Sequence, residues 1–559
     1  KALPAIHEES VNVNKNGPRN EEERLILDAM REVLGNPGLG VKDDFFVMGG
    51  HSIKAIELAQ KLREIGYELR VNDIFKFSTT EELAKYLGSI SSMSREESPA
   101  QEGAQEHGKG TISLNEKQID SMVQYICNST SMVSDMMVLS SVRTEFPMSP
   151  VQTVHMAAGS RYSGLTINIE ENISEQHLRD ILANIIAKQQ MMHCIAKKKD
   201  EYLWSELDVE GQTPIIAQSI SYTKLDMYDE TTQKAITKKV IENLMYKDYR
   251  EGELPWRLSC LRLSERNTLL IWCFDHTCFD GMSAEIIKRQ ILSKENLSKN
   301  SSKSSDIFTS STIQCYEDYV AILKDGPKDI DEQEIVGKFR LDDWSRANAA
   351  LMEKLEKVSD KNFKEVSISV PLNGRNQNVW ACAYELVEKI LQRYTGENDI
   401  AMAIVDYGRK YGGAEFYDCV GEFLDIIPVM LGQRKVEELE ELLDICNNNS
   451  VNFLSLIFDK DLSEKYSEVS KNLKKYFATD KSCFDIVIYN FQGFISAEDR
   501  ALMEESQSAE ETESPMSKLF INANHDKDTL YLSLECPEGL NIDLIKTVVD
   551  NEGGTCTGK

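Results

Sequence analysis

The segment EEERLILDAMREVLG places Ile26, Ala29, Met30, Val33 and Leu34 on one helical stripe. Acids open its first turn, and Gly35 and Pro37 stop it, which predicts a first helix. A polar loop with Asp43, Asp44, Phe45 and Phe46 then leads to GGHS. Ala55, Leu58, Ala59, Leu62 and Ile65 repeat the helical spacing, so a second helix is expected with Ser52 at its N-terminal end. After a short turn at Asp73–Phe75, Thr79 and Glu82 stand at capping-box distance ahead of Leu83, Tyr86 and Leu87. Residues 19–88 therefore read as a small all-α, four-helix bundle, preceded by a tail over 1–18.

From Gly88 the composition turns to Ser, Glu, Gln and Gly, too few large apolar residues to offset ordering entropy. Residues 89–143 are expected to be a flexible linker, with an isolated amphipathic helix over LNEKQIDSMVQYI. Beyond it strands alternate with helices. LRLSERNTLLIWCF reads as two strands around a Ser264–Asn267 turn, the second apolar on both faces and so central in a sheet. Later come strand Val366–Val370, helix Val379–Tyr394, strands Ile400–Asp406, Phe423–Leu431 and Phe484–Asn490, and a hairpin turned at Asp526–Asp528. Two successive α/β units, 144–330 and 331–559, fit this order better than one continuous sheet.

A chain of 559 residues needs several cores, and 41% hydrophobic with 28% charged residues is ordinary globular composition. The net charge of −29 repels phosphate backbones and anionic lipid, which argues against nucleic acid and membrane as partners. No run of about 18 uncharged apolar residues occurs, and KALPAIHEES has neither a basic leader nor an apolar core. The expected location is cytoplasmic. The twelve cysteines form no C-x-x-C pair, so reduced thiols and no metal site are expected.

Two segments carry candidate chemistry. In GGHSIKAIELAQKLRE the glycines permit a sharp turn, and a helix N-terminus suits a phosphate on Ser52, although a serine there also serves simply as an N-cap. In FDHTCFDGMS (Phe274–Ser283) a histidine follows a buried strand and precedes a helix, placed to shuttle a proton near neutral pH. A surface histidine among acids is the alternative.

DDFFVMGGHSIKAIELA resembles the carrier-domain signature of nonribosomal peptide synthetases, in which the serine of GGHS receives 4′-phosphopantetheine. The resemblance implies attachment at Ser52 beside His51, loading by a phosphopantetheinyl transferase, and an upstream adenylation domain, whose last conserved element KALP resembles. FDHTCFDGMS resembles the H-H-x-x-x-D-G element of condensation and epimerisation domains. On it His276 falls on the catalytic histidine, Asp280 on the structural aspartate and Gly281 on the glycine, while Asp275 replaces the first histidine.

MSPVQ, YEDYVAIL, VGEFLDIIPV and FDIVIYNFQG resemble further elements of that family in order. KQQMMHCIA departs from R-H-E-x-L-R-T, placing His193 where an arginine would support Asp280. The implied fold is two chloramphenicol-acetyltransferase-like lobes. The implied reaction is attack on the carrier's thioester by an amine, free or on a downstream acceptor carrier. Asp275, Asp280 and Ser283 also match the D-x-x-x-x-D-x-x-S pattern of heterocyclisation domains, but the retained His276 favours plain condensation. Epimerisation would need a glutamate where VDYGRK has Val405, and a non-catalytic docking or gatekeeping module is the rival outside enzymes.

Incubating the chain with coenzyme A and a phosphopantetheinyl transferase is expected to add one phosphopantetheine by intact mass. Ser52→Ala should abolish the addition, and an addition that survives would place the arm elsewhere.

Overall fold

The computed structural model describes residues 17–45, 48, 58, 61–62, 65, 67, 74, 77–93, 112–158, 162–245, 249, 251–297, 315–356, 362–372, 379–432, 436–477, 484–494 and 517–558. The chain forms two compact units, 1–112 and 113–559.

In the first unit, helix Glu21–Leu34 is capped by the Asn20 side chain, which accepts from Glu23 N at 2.7 Å, and ends on Gly35 in the left-handed region. Ile26, Leu27, Met30 and Val33 bury the expected stripe. Helix Thr80–Met93 starts behind Thr79, whose hydroxyl accepts from Glu82 N at 3.2 Å and donates to the Glu82 carboxylate at 3.1 Å. Leu39, Phe45, Leu58, Leu62, Ile74 and Leu83 complete the core. Of the second helix read from the sequence, Leu58, Lys61 and Leu62 are helical, while His51 and Ser52 lie outside the described residues.

The second unit begins inside the stretch expected to be a linker. Asn115 and Gln118 form a capping box for helix Glu116–Ser129, and Ile119, Val123 and Ile126 pack against Ile236, Val240 and Leu244 of helix Glu230–Met245. A further helix, Ser131–Val138, follows. Polar composition concealed this docking, because three apolar residues on one helical face are enough for a satellite core.

Two main sheets follow. The first orders Tyr162–Ile169, Asn267–Asp275, Trp256–Ser264 and Tyr222–Lys224, so the apolar strand Asn267–Asp275 is indeed interior. The second has seven strands, ordered Asp425–Leu431, Ile400–Asp406, Phe484–Phe494, Ser517–His525, Thr529–Pro537, Phe363–Pro371 and Thr555–Gly558. The pairings of Phe484–Phe494 with its two neighbours, Ile400–Asp406 and Ser517–His525, are parallel, and the rest antiparallel. A small sheet of Val142–Pro147, Tyr202–Leu207 and Cys194–Lys198 flanks the first.

The two α/β lobes exchange segments. Val151 and Val154, from helix Pro150–Ala158 of the first lobe, belong to the second lobe's core. Tyr411, Phe416, Cys419, Val420 and Phe423 of the second lobe belong to the first lobe's core. Among the described residues no helix is long and apolar enough to cross a membrane.

Candidate active site

Strand Asn267–Asp275 delivers a buried 3₁₀ turn, His276–Cys278, and then helix Gly281–Ile291. Asp275, which takes the place of a histidine in the resemblance, caps that turn. Its carboxylate accepts from Thr277 N at 2.9 Å and from the Thr277 hydroxyl at 2.8 Å. Asp275 thus shapes the backbone that presents the imidazole.

Asp280 is fully buried and caps the following helix, accepting from Ser283 N and the Ser283 hydroxyl, both at 2.8 Å. Its charge is met by Arg409, whose Nη2 lies 2.5 Å from Oδ1, while Phe423 N donates to Oδ2 at 3.2 Å. Arg409 also donates to Cys419 O at 2.9 Å and lies over the Phe423 ring, 3.8 Å from its centroid. Ser283 Oγ accepts from Gly421 N at 3.0 Å. Sequence reasoning had left Asp280's partner open after finding His193 in the arginine's place. The cation comes from the other lobe, in VDYGRK, and His193 Nδ1 lies 3.0 Å from Ile186 O.

The same crossing segment carries Glu422, fully buried, whose Oε2 lies 2.8 Å from His276 Nδ1. Glu422 Oε1 accepts from Leu424 N at 3.2 Å. Burial pushes the Glu422 carboxyl up to about 7. At His276 burial pulls downward, but the charge and hydrogen bond of Glu422 outweigh it, and the imidazole is raised. The His276 side chain keeps 30% of its surface exposed while Glu422 keeps none, so the ring is anchored on one edge and accessible elsewhere.

Helix Pro150–Ala158 closes the other side. Gln152 donates to Thr277 O at 2.6 Å and accepts from Ser149 N and Trp204 Nε1, locking this helix to the histidine turn. One turn on, buried His155 stacks on His276, with centroids 5.1 Å apart and planes within 22°. One ligand atom from each of His155, His276 and Glu422 lies within 4.8 Å of the others, a donor set of the kind zinc uses.

The remaining motif residues converge on the same place. Tyr316 donates to Glu422 O, its hydroxyl lies 3.2 Å from Ser149 Oγ, and Tyr319 donates to Phe423 O at 3.3 Å. Gly421 is a glycine because a Cβ there would run into the Tyr316 ring. Gln189 of KQQMMHCIA accepts from Val420 N at 3.0 Å and donates to Asp418 O at 2.9 Å. Tyr407 lies against Gly281 and donates to Asn490 at 2.8 Å. Sequence reasoning missed Arg409, Glu422 and His155. The available signals were a lone charge between Gly421 and Phe423, and the three-residue period Ser149, Gln152, His155.

Residues 24–87 match the family model described as "Phosphopantetheine attachment site". This segment is a phosphopantetheine carrier domain. Curated relatives include the dimodular nonribosomal peptide synthase of Bacillus subtilis (strain 168), 40% identical over 95 residues, 17% of this chain and 4% of that protein. Surfactin synthase subunit 3 of the same strain is 43% identical over 72 residues, 13% of this chain and 6% of that protein. Gramicidin S synthase 1 of Brevibacillus brevis is 37% identical over 75 residues, 13% of this chain and 7% of that protein. The chain thus spans only a few per cent of these relatives' length.

Among solved structures, the chain is similar to a condensation domain that mediates chain release from the enacyloxin polyketide synthase (TM-score 0.49, 14% identity, covering 78% of this chain and 87% of that one). It is also similar to the epimerization domain of the third module of tyrocidine synthetase B (0.48, 12%, 74% and 96%). A third is the EpoB cyclization-docking bidomain from Sorangium cellulosum (0.45, 13%, 80% and 94%).

The carrier domain and the site around His276 belong to different units, and the second holds the buried Asp280–Arg409 pair. Arg409→Ala leaves a buried carboxylate unpaired and is expected to destabilise the larger unit by about 3–5 kcal/mol. Adding Asp280→Asn should recover part of that loss. Denaturant unfolding of the four variants measures both effects, and simple additivity would contradict the pairing.

Proposed function

We propose that this chain acts in nonribosomal peptide synthesis. The carrier domain holds an aminoacyl or peptidyl group as a thioester at Ser52, and the larger unit joins that group to an acceptor amine. The observation that carries this reading is His276, held through Nδ1 by buried Glu422 and still partly exposed, where the two lobes exchange segments.

Attachment at Ser52 is supported by the match of residues 24–87 to the phosphopantetheine attachment-site family and by the GGHS sequence. 4′-Phosphopantetheine supplies a long tether ending in a thioester. A phosphopantetheinyl transferase installs it, an upstream adenylation domain loads it, and a downstream carrier or free amine accepts the product.

The residues of the larger unit would position the amine and take its proton. With Nδ1–H donated to Glu422, His276 Nε2 carries the lone pair, which can hydrogen-bond the attacking amine and accept its proton. Holding both substrates together supplies most of the rate gain. The buried Asp280–Arg409–Ser283 cluster fixes the loop, and Asp275 fixes the turn, so neither aspartate need touch substrate. That distribution of work favours condensation over heterocyclisation.

In a condensation assay with the loaded carrier domain and a supplied acceptor, His276→Ala is expected to lower product formation about 10²–10⁴-fold while leaving loading at Ser52 intact. Because the neutral imidazole is the base, the wild-type rate should rise with pH through the raised pKa of His276. A His276→Ala chain that condenses at the wild-type rate would reduce the larger unit to a docking module.

A further inference from the structure

The strands Ile400–Asp406 and Asp425–Leu431 run antiparallel, and the last pair before the chain leaves the sheet sets Asp406 opposite Asp425. The crossing segment, 407–424, hangs from that pair. It carries Arg409 and Glu422 and gives Tyr411, Phe416, Cys419, Val420 and Phe423 to the first lobe's core. Residues opposite each other on antiparallel strands point to one face with Cβ atoms about 4.5–5.5 Å apart, a distance at which like charges repel.

Asp425 is fully buried, and its two carboxylate oxygens accept from Phe453 N at 2.8 Å and Leu454 N at 3.0 Å. Burial still pushes its carboxyl up to about 7. Asp406 keeps a buried Oδ2 with no hydrogen-bond partner, and burial raises this carboxyl too, against the pull of the Gly408 and Tyr407 N–H groups. The titratable groups that face the pair are Tyr319 from helix Tyr316–Asp325, Tyr411 from the crossing segment and Cys446 from helix Val436–Asn449. Each is a weak acid that burial keeps neutral, so none supplies positive charge. An oxygen that accepts no hydrogen bond is the atom best able to carry a proton, and two carboxylates set together keep one between them.

We propose that Asp406 and Asp425 form a proton-operated hinge for the crossing segment. With one proton between them the strand ends stay together and 407–424 stays docked in the first lobe. Opening lets both carboxylates meet water and ionise, so each opening releases a proton. The closed pair binds its proton more tightly than the open one. Opening therefore grows as pH rises from the ordinary aspartate range, near ~4, toward the closed pair's higher value, and levels off above it. Mild acid locks the segment and neutral pH loosens it. This hinge is independent of the reaction assigned above.

Hydrogen–deuterium exchange of the full chain, corrected for the intrinsic pH dependence of exchange, reads the opening of 407–424. In the wild type, opening is expected to increase at least about 10-fold between pH ~5 and ~7 and to level off above pH ~8. Asp406→Asn, equal in shape and uncharged, should reduce the change to less than about 3-fold over the same range. Asp406→Ser repeats the test with a smaller neutral group, and unfolding midpoints confirm that the variants fold. Peptides from helix Val379–Thr395 should show no such dependence. Wild-type opening that ignores pH would overturn the hinge, as would a pH dependence that survives both substitutions or one that helix Val379–Thr395 shares.

Discussion

The contact on which this architecture depends is the buried ion pair between Asp280 and Arg409. Taking both charges out of water is expensive, and Coulomb attraction repays it only when the remaining polar atoms are also satisfied. Here they largely are: Asp280 accepts from Ser283, Arg409 and Phe423 N, while Arg409 reaches Cys419 O and covers the Phe423 ring. The aspartate begins a helix of one lobe and the arginine follows a strand of the other. Their pairing therefore ties the histidine turn to the second lobe, beside the residues that cross between the two cores.

The exchange of segments between cores extends that constraint to His276. Helix Pro150–Ala158 sends valines into one core and presents His155 to the histidine turn, while 411–423 crosses in the opposite direction and presents Glu422. His276 stands where the two meet, gripped on one edge and open on another. An imidazole built this way is positioned by tertiary contacts from two distant stretches of chain, and its own loop contributes mainly backbone shape through Asp275 and Asp280.

Much of the fold was legible because it is local. The stripe Ile26–Val33, the Thr79–Glu82 cap, the interior strand ending at Asp275 and the hairpin turning at Asp526 all follow from periodicities and turn residues within a few positions. A resemblance singled out Asp280 as a structural aspartate, and Ser283 only as part of a heterocyclisation pattern. What stayed hidden was long-range. Arg409 and Glu422 lie more than a hundred residues from their partners, and a charge in a polar loop looks the same whether it faces water or a buried aspartate. The docked helix Glu116–Ser129 was hidden by composition, since its three buried apolar residues, Ile119, Val123 and Ile126, sit in a largely polar stretch.

The most direct measurement is the tautomer of His276, read from nitrogen-15 correlation spectra of imidazole-labelled chain, with His276→Gln to assign the resonance. The account predicts the Nδ1–H form, with a downfield, slowly exchanging proton that disappears in Glu422→Ala. A freely exchanging ring, or one protonated at Nε2 and indifferent to Glu422, would contradict it.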